Sequence, residues 1–70
     1  MRPGKIVKIN PAFLGRSEFI DFGDSYFTVV TNPKMVMTAE GWHEILVVDI
    51  MDSAGRVLPN VAIAMLEEIF

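Results

Sequence analysis

The 70-residue chain has no cysteine and one histidine, His43. Disulfides and thiolate metal sites are therefore excluded, and so is a histidine-rich metal cluster. No uncharged apolar run approaches the roughly 18–20 residues that a membrane-crossing helix needs, so no membrane role is expected. The opening Met-Arg-Pro-Gly-Lys leads into no apolar stretch of the kind a signal peptide carries. Together with the absent cysteine this suits a reducing compartment, and a cytoplasmic location is expected. Basic residues are also few: six Lys and Arg stand against nine Asp and Glu, a net charge of −3. That balance argues against strong non-specific nucleic-acid binding.

Hydrophobic residues, by contrast, are abundant, at 51% of the chain. A chain of this length makes one domain spanning residues 1–70, and a domain so small shelters limited apolar surface. Small scaffolds lean on disulfides, metals or partner subunits. With the first excluded and the second without ligands, a homo-oligomer is expected, and a ring is one arrangement that would provide it.

The charges are unevenly distributed. Arg2, Lys5, Lys8 and Arg16 are the only charged side chains up to residue 16. Beyond them Lys34 and Arg56 face all nine acids. A basic N-terminal rim on an acidic body is one reading, with RNA or DNA as the partner. A charge-mixed surface is the other.

Runs of Val, Ile, Phe and Thr broken by Gly, Pro, Asn and Asp predict a small all-β fold. Strands are expected over 5–10, 17–22, 26–31 and 42–51, with 35–38 a short strand or a strand extension, and with 17–22 and 26–31 joined as a hairpin across Gly23-Asp24-Ser25. Ala39-Glu40-Gly41 is expected to turn. Asp52-Ser53-Ala54-Gly55 predicts a type I turn closed by a left-handed glycine. Val57-Leu58 opens the next strand, and Pro59-Asn60 is expected to interrupt it. Asn60 would then cap a short helical turn over 61–65, followed by a terminal strand over 66–69. A single helix over 61–69 is the alternative.

The 42–51 strand has Ile45, Val47 and Asp49 on one face and Leu46, Val48 and Ile50 on the other. Apolar side chains on both faces imply that both are covered. A barrel core covers one. A neighbouring subunit would cover the other, so Leu46, Val48 and Ile50 are the candidate oligomer interface.

Nothing in the sequence points to catalysis. His43 has no assigned hydroxyl and carboxylate beside it, as a nucleophile relay requires. The pairs Asp21/Asp24 and Asp49/Asp52 flank turns and lack the spacing of a calcium loop. Each glycine stands alone at a turn, so no phosphate cradle is present. No catalytic residue, metal, cofactor or small-molecule substrate is expected. Aromatic side chains can stack bases in small barrels. Most of these aromatics are needed in the core, which leaves Phe13 and Tyr26 as the stacking candidates beside Arg2, Lys5, Lys8 and Arg16.

The order of features carries a resemblance. Pro-Gly-Lys-Ile-Val-Lys-Ile leads into a loop, a long strand starts at Trp42, and a glycine turn falls at Gly55. A last strand then passes through a helical kink into Leu66-Glu67-Glu68-Ile69. This resembles small Src-homology-3-like barrels of tailed phages and phage-like marine metagenomes, a class that includes KOW-type modules and, by architecture, Sm-like proteins. The resemblance implies a five-stranded, strongly bent antiparallel barrel, often assembled in a ring. Its usual uses are nucleic-acid binding or virion assembly, and a phage protein would work in the host cytoplasm. The expectation is a non-enzymatic, self-associating barrel. It either binds nucleic acid through the basic rim or acts purely as a structural and protein-interaction module.

Overall fold

The computed structural model describes residues 1–17, 19–20, 22, 25–38, 41 and 43–69. The expected turns at Gly23-Asp24 and Ala39-Glu40 and the strand start at Trp42 lie outside the described residues. Six strands follow one another as β1 (Ile6–Ile9), β2 (Tyr26–Val29), β3 (Lys34–Met37), β4 (Glu44–Met51), β5 (Val57–Ala62) and β6 (Leu66–Glu68). Single 3-10 turns occupy Pro11–Phe13 and Ile63–Met65. The fold is mostly β, as its sequence predicts, and every strand pairing is antiparallel.

The strand count reconciles with the expected five once β2 and β3 are compared. Both lie on the same flank of β4. Thr28 and Val29 face Met51 and Ile50, while Lys34 to Met37 face Val47 to Glu44. Between them Pro33 has no N–H to give a ladder. The gap is bridged instead by Asp49, whose carbonyl accepts from the Val30 amide at 3.0 Å and whose N–H donates to Thr31 Oγ1 at 2.9 Å. β2 and β3 thus act as one bent strand.

Connectivity forces the sheet to curl. The pairing path runs β5-β4-β2-β1-β6, so β5 and β6 are its two ends. Yet only Ile63–Met65 joins them. A 3-10 turn rises about 2 Å per residue, far short of the roughly 19 Å between the outer strands of a flat five-strand sheet. The sheet must therefore bend until its ends meet. Bonds from Asn10 N–H to Met65 O at 2.8 Å and from Ile69 N–H to Ile6 O at 2.9 Å hold the closure. Inside lie Val7 and Ile9 of β1, Phe27 and Val29 of β2, Val48 and Ile50 of β4, and Val61 of β5. Phe19 joins them from the loop between β1 and β2.

That loop corrects the expected 17–22 strand and its hairpin. Its described residues form successive turns. The amides of Phe13, Arg16, Phe19 and Phe22 each donate to the carbonyl three residues earlier, at 2.9–3.1 Å. Two physical facts decide this. β2 is paired with β1 and β4, so it offers no ladder to a 17–22 strand. Three-residue turns also place Phe13, Phe19 and Phe22 in phase, and all three pack on the core.

The second correction is at Pro59-Asn60, where β5 continues rather than stopping. Val48 pairs with Val61 and Ile50 with Leu58, so β5 carries one extra residue there, a β-bulge. Asn60 supplies the left-handed backbone, at φ 54°. In a regular strand, residues 58 and 61 would face opposite ways. The bulge turns both toward the core. Asn60 therefore caps no helix. The helical turn begins at Ile63, behind Ala62, which makes no side-chain cap. A strand follows it, so residues 61–69 are not one helix.

Candidate interaction surface

β4 is the element on which the exposed apolar surface is built. Alternation sets Glu44, Leu46, Val48 and Ile50 on the face that meets the core. Val48 and Ile50 are 0% exposed within the single chain. Buried in their own core, they have no surface to offer a partner, which corrects their expected place in an interface. Val47, on the other face, is buried as well. Leu46 shares the core-side face yet is 47% exposed. The reason is positional, because the β3–β4 hairpin extends past the last layer of core side chains.

The hairpin's uncovered end is apolar. Met35 stands opposite Leu46, and Met37 opposite Glu44. Met35 and Met37 are 55% and 56% exposed. A groove of about 460 Å³ runs between this end and the Ile63–Met65 turn, lined by Met35, Ile45, Leu46, Ile63 and the methyl groups of Ala62 and Ala64, with Glu44 its charged member. A smaller groove of about 200 Å³ lies along β5 and is bordered by Arg16, Phe19, Leu58, Pro59 and Met65.

The candidate nucleic-acid residues are placed as follows. Lys8 points outward from β1, with Tyr26 opposite it on β2 and Glu67 opposite it on β6. Tyr26 is 62% exposed. Arg16 borders the β5 groove. Arg2 and Lys5 belong to the turn that leads into β1, where the Lys5 amide donates to the Arg2 carbonyl at 3.2 Å. Phe13 is half-buried against the core. Of the six, Lys8 and Tyr26 are brought side by side, with an acid on the far side of the lysine.

Two acids that the sequence placed only at a turn, Asp49 and Asp52, emerge as hydrogen-bonding centres. Asp52 is buried beneath the β4–β5 turn. Its Oδ1 accepts from the amides of Ala54 (3.0 Å) and Arg56 (2.9 Å), and its Oδ2 from Arg56 Nε at 2.8 Å. Burial works against the carboxylate charge, but these bonds and the guanidinium outweigh it and hold the Asp52 pKa below the ordinary carboxylate value. Arg56 also lies over the Phe22 ring, 4.5 Å from its centre, and Phe22 packs against Phe27 with ring centres 5.6 Å apart. The turn is thereby tied to the core. Asp49 accepts the Asn60 amide on Oδ1 at 2.9 Å, pinning the bulge. Its one sequence signal was to be an acid inside an otherwise apolar strand.

His43 is exposed, and its carbonyl accepts the Thr38 amide at 2.8 Å. Among the described residues, no three His, Asp or Glu side chains gather as a metal site would require. No helix among them is long and apolar enough to cross a membrane. Comparison with protein-family models, with curated proteins and with solved structures returns no match.

Proposed function

We propose that this chain is a non-enzymatic assembly module, a Src-homology-3-like barrel whose copies associate through the apolar end of the β3–β4 hairpin. The observation that carries this reading is the Met35–Leu46 pair. Two large apolar side chains stand opposite each other at the end of the hairpin, both about half exposed, over a groove with almost no polar lining. Large exposed apolar patches on small proteins mark interaction sites. Methionine adapts its shape to whatever covers it. A second copy is the occupant that a chain with 51% hydrophobic residues and no covalent staples calls for.

Sedimentation equilibrium tests the reading. The mass is expected to rise above 7.8 kDa with concentration. A constant single-chain mass up to millimolar protein would refute it.

A second reading rests on Lys8 and Tyr26. An exposed aromatic ring beside a cation on the outer face of β1–β2 suits contact with a single-stranded nucleic acid, one stacking and the other meeting phosphate. Binding of short oligonucleotides should then weaken steeply with salt, and Lys8→Glu should abolish it. Absence of binding at low salt would eliminate this second reading.

A further inference from the structure

Among the described residues β3 is the last strand on its side of the sheet, and none of them pairs with its outer edge. The bond from Thr38 N–H to His43 O, at 2.8 Å, makes residues 38 and 43 a hydrogen-bonded pair of the antiparallel ladder. The register continues unbroken from Met37 opposite Glu44 to Lys34 opposite Val47. Hydrogen-bonded and non-bonded pairs alternate along such a ladder. Val36 and Lys34 therefore direct their backbone groups toward β4, while Met35 and Met37 direct their N–H and C=O groups away from it, along the open edge. Pro33, just before the strand, has no N–H to add.

Resting on the self-association reading, we propose that a second copy adds to this edge antiparallel, about a two-fold axis through Val36. Two conditions select this register. In an antiparallel pair, residues directly opposite share a face, which allows centres only at whole residues. A centre at Met35 sets Met37 against Pro33, and a centre at Met37 sets Met35 beyond the end of β3. Only the Val36 centre sets Met35 of each copy against Met37 of the other, so that every outward backbone group finds a partner. The same register gathers Met35, Met37 and Leu46 of both copies on one face as an apolar block, with Glu44 beside each Met37 at its outer corners. Lys34, the strand's one charge, falls opposite Thr38 of the second copy, so no like charges are opposed. Edge strands in monomers are usually blunted by charge, proline or a bulge. Here those devices stop at Lys34, and the remainder of the edge is Met-Val-Met.

Two variants of the full chain test the register. Val36 would meet its own copy as a non-hydrogen-bonded pair, with Cα atoms about 4.5 Å apart, a separation that a disulfide spans. In a chain without other cysteines, Val36→Cys should convert to a covalent dimer on mild oxidation, at least tenfold faster than Val57→Cys, an exposed position on β5. Met37→Pro removes an outward N–H and leaves the β3–β4 ladder intact. It should return the mass to 7.8 kDa with an unchanged far-ultraviolet spectrum. If wild type associates but Val36→Cys crosslinks no faster than Val57→Cys, the edge pairing is wrong and another surface carries the association. If Met37→Pro fails to fold, the crosslinking rates decide alone. A wild-type chain of single-copy mass at every concentration overturns both this pairing and the reading beneath it.

Discussion

Asn60 shows what a single backbone angle does here. At φ 54° it sits where the Cβ of most residues crowds the following carbonyl. Asparagine tolerates this position, while a β-branched side chain does not. Asn60→Val is expected to cost about 1–2 kcal/mol, read as a lower urea midpoint. Asn60→Gly should stay near wild type, since glycine adopts positive φ without steric cost. The sequence pointed to asparagine as a helix cap because the same short polar side chain suits both roles. Asp52 offers a second test. Its folded-state pKa is depressed, so its stabilising contribution is present above the unfolded carboxyl value of about 3.9 and is lost as pH falls through the lower folded value. Wild type should lose thermal stability across that acid window. Asp52→Asn should be less stable at neutral pH and show a flatter decline on acidification.

At the scale of elements, β4 separates core from surface along one face. Ile50→Ala is expected to cost about 2–5 kcal/mol, a large part of the stability of a domain this small. Leu46→Ala, on the same face but half exposed, should cost well under half as much, and denaturant titration of the two variants checks the contrast. Equal losses would place Leu46 in the core after all. Apolar residues on both faces of β4 were legible in the sequence, but the point at which the barrel ends beneath the strand was not. That point depends on where β5 and the Ile63–Met65 turn pass under the hairpin. The β1, β2 and β4 strands and the Asp52–Gly55 turn were legible because alternation and turn chemistry are local. The 17–22 segment was misread for a non-local reason. Its Phe-rich pattern suits a strand, but β2 has no edge left to receive one.

The molecule as a whole depends on the meeting of its two ends. Deleting residues 66–70 removes β6 and uncovers the edge of β1 beside Val7 and Ile9. This truncated chain is expected to lose its cooperative thermal transition, monitored by circular dichroism, rather than to unfold at a slightly lower temperature. The juxtaposition of Lys8 with Tyr26 belongs to this scale too. Eighteen residues separate them in sequence, and the β1–β2 pairing sets them side by side.

Closure has a further consequence, for the order in which the protein can be made. β1 is made before the other strands, and β6, which covers one of its edges, is made after all of them. Until residues 66–68 emerge, the amides and carbonyls along that edge of β1 have only water or a chaperone to bond. Folding must therefore wait until β6 has been made, and a growing chain stalled anywhere before Leu66 would present an incomplete barrel to the cell.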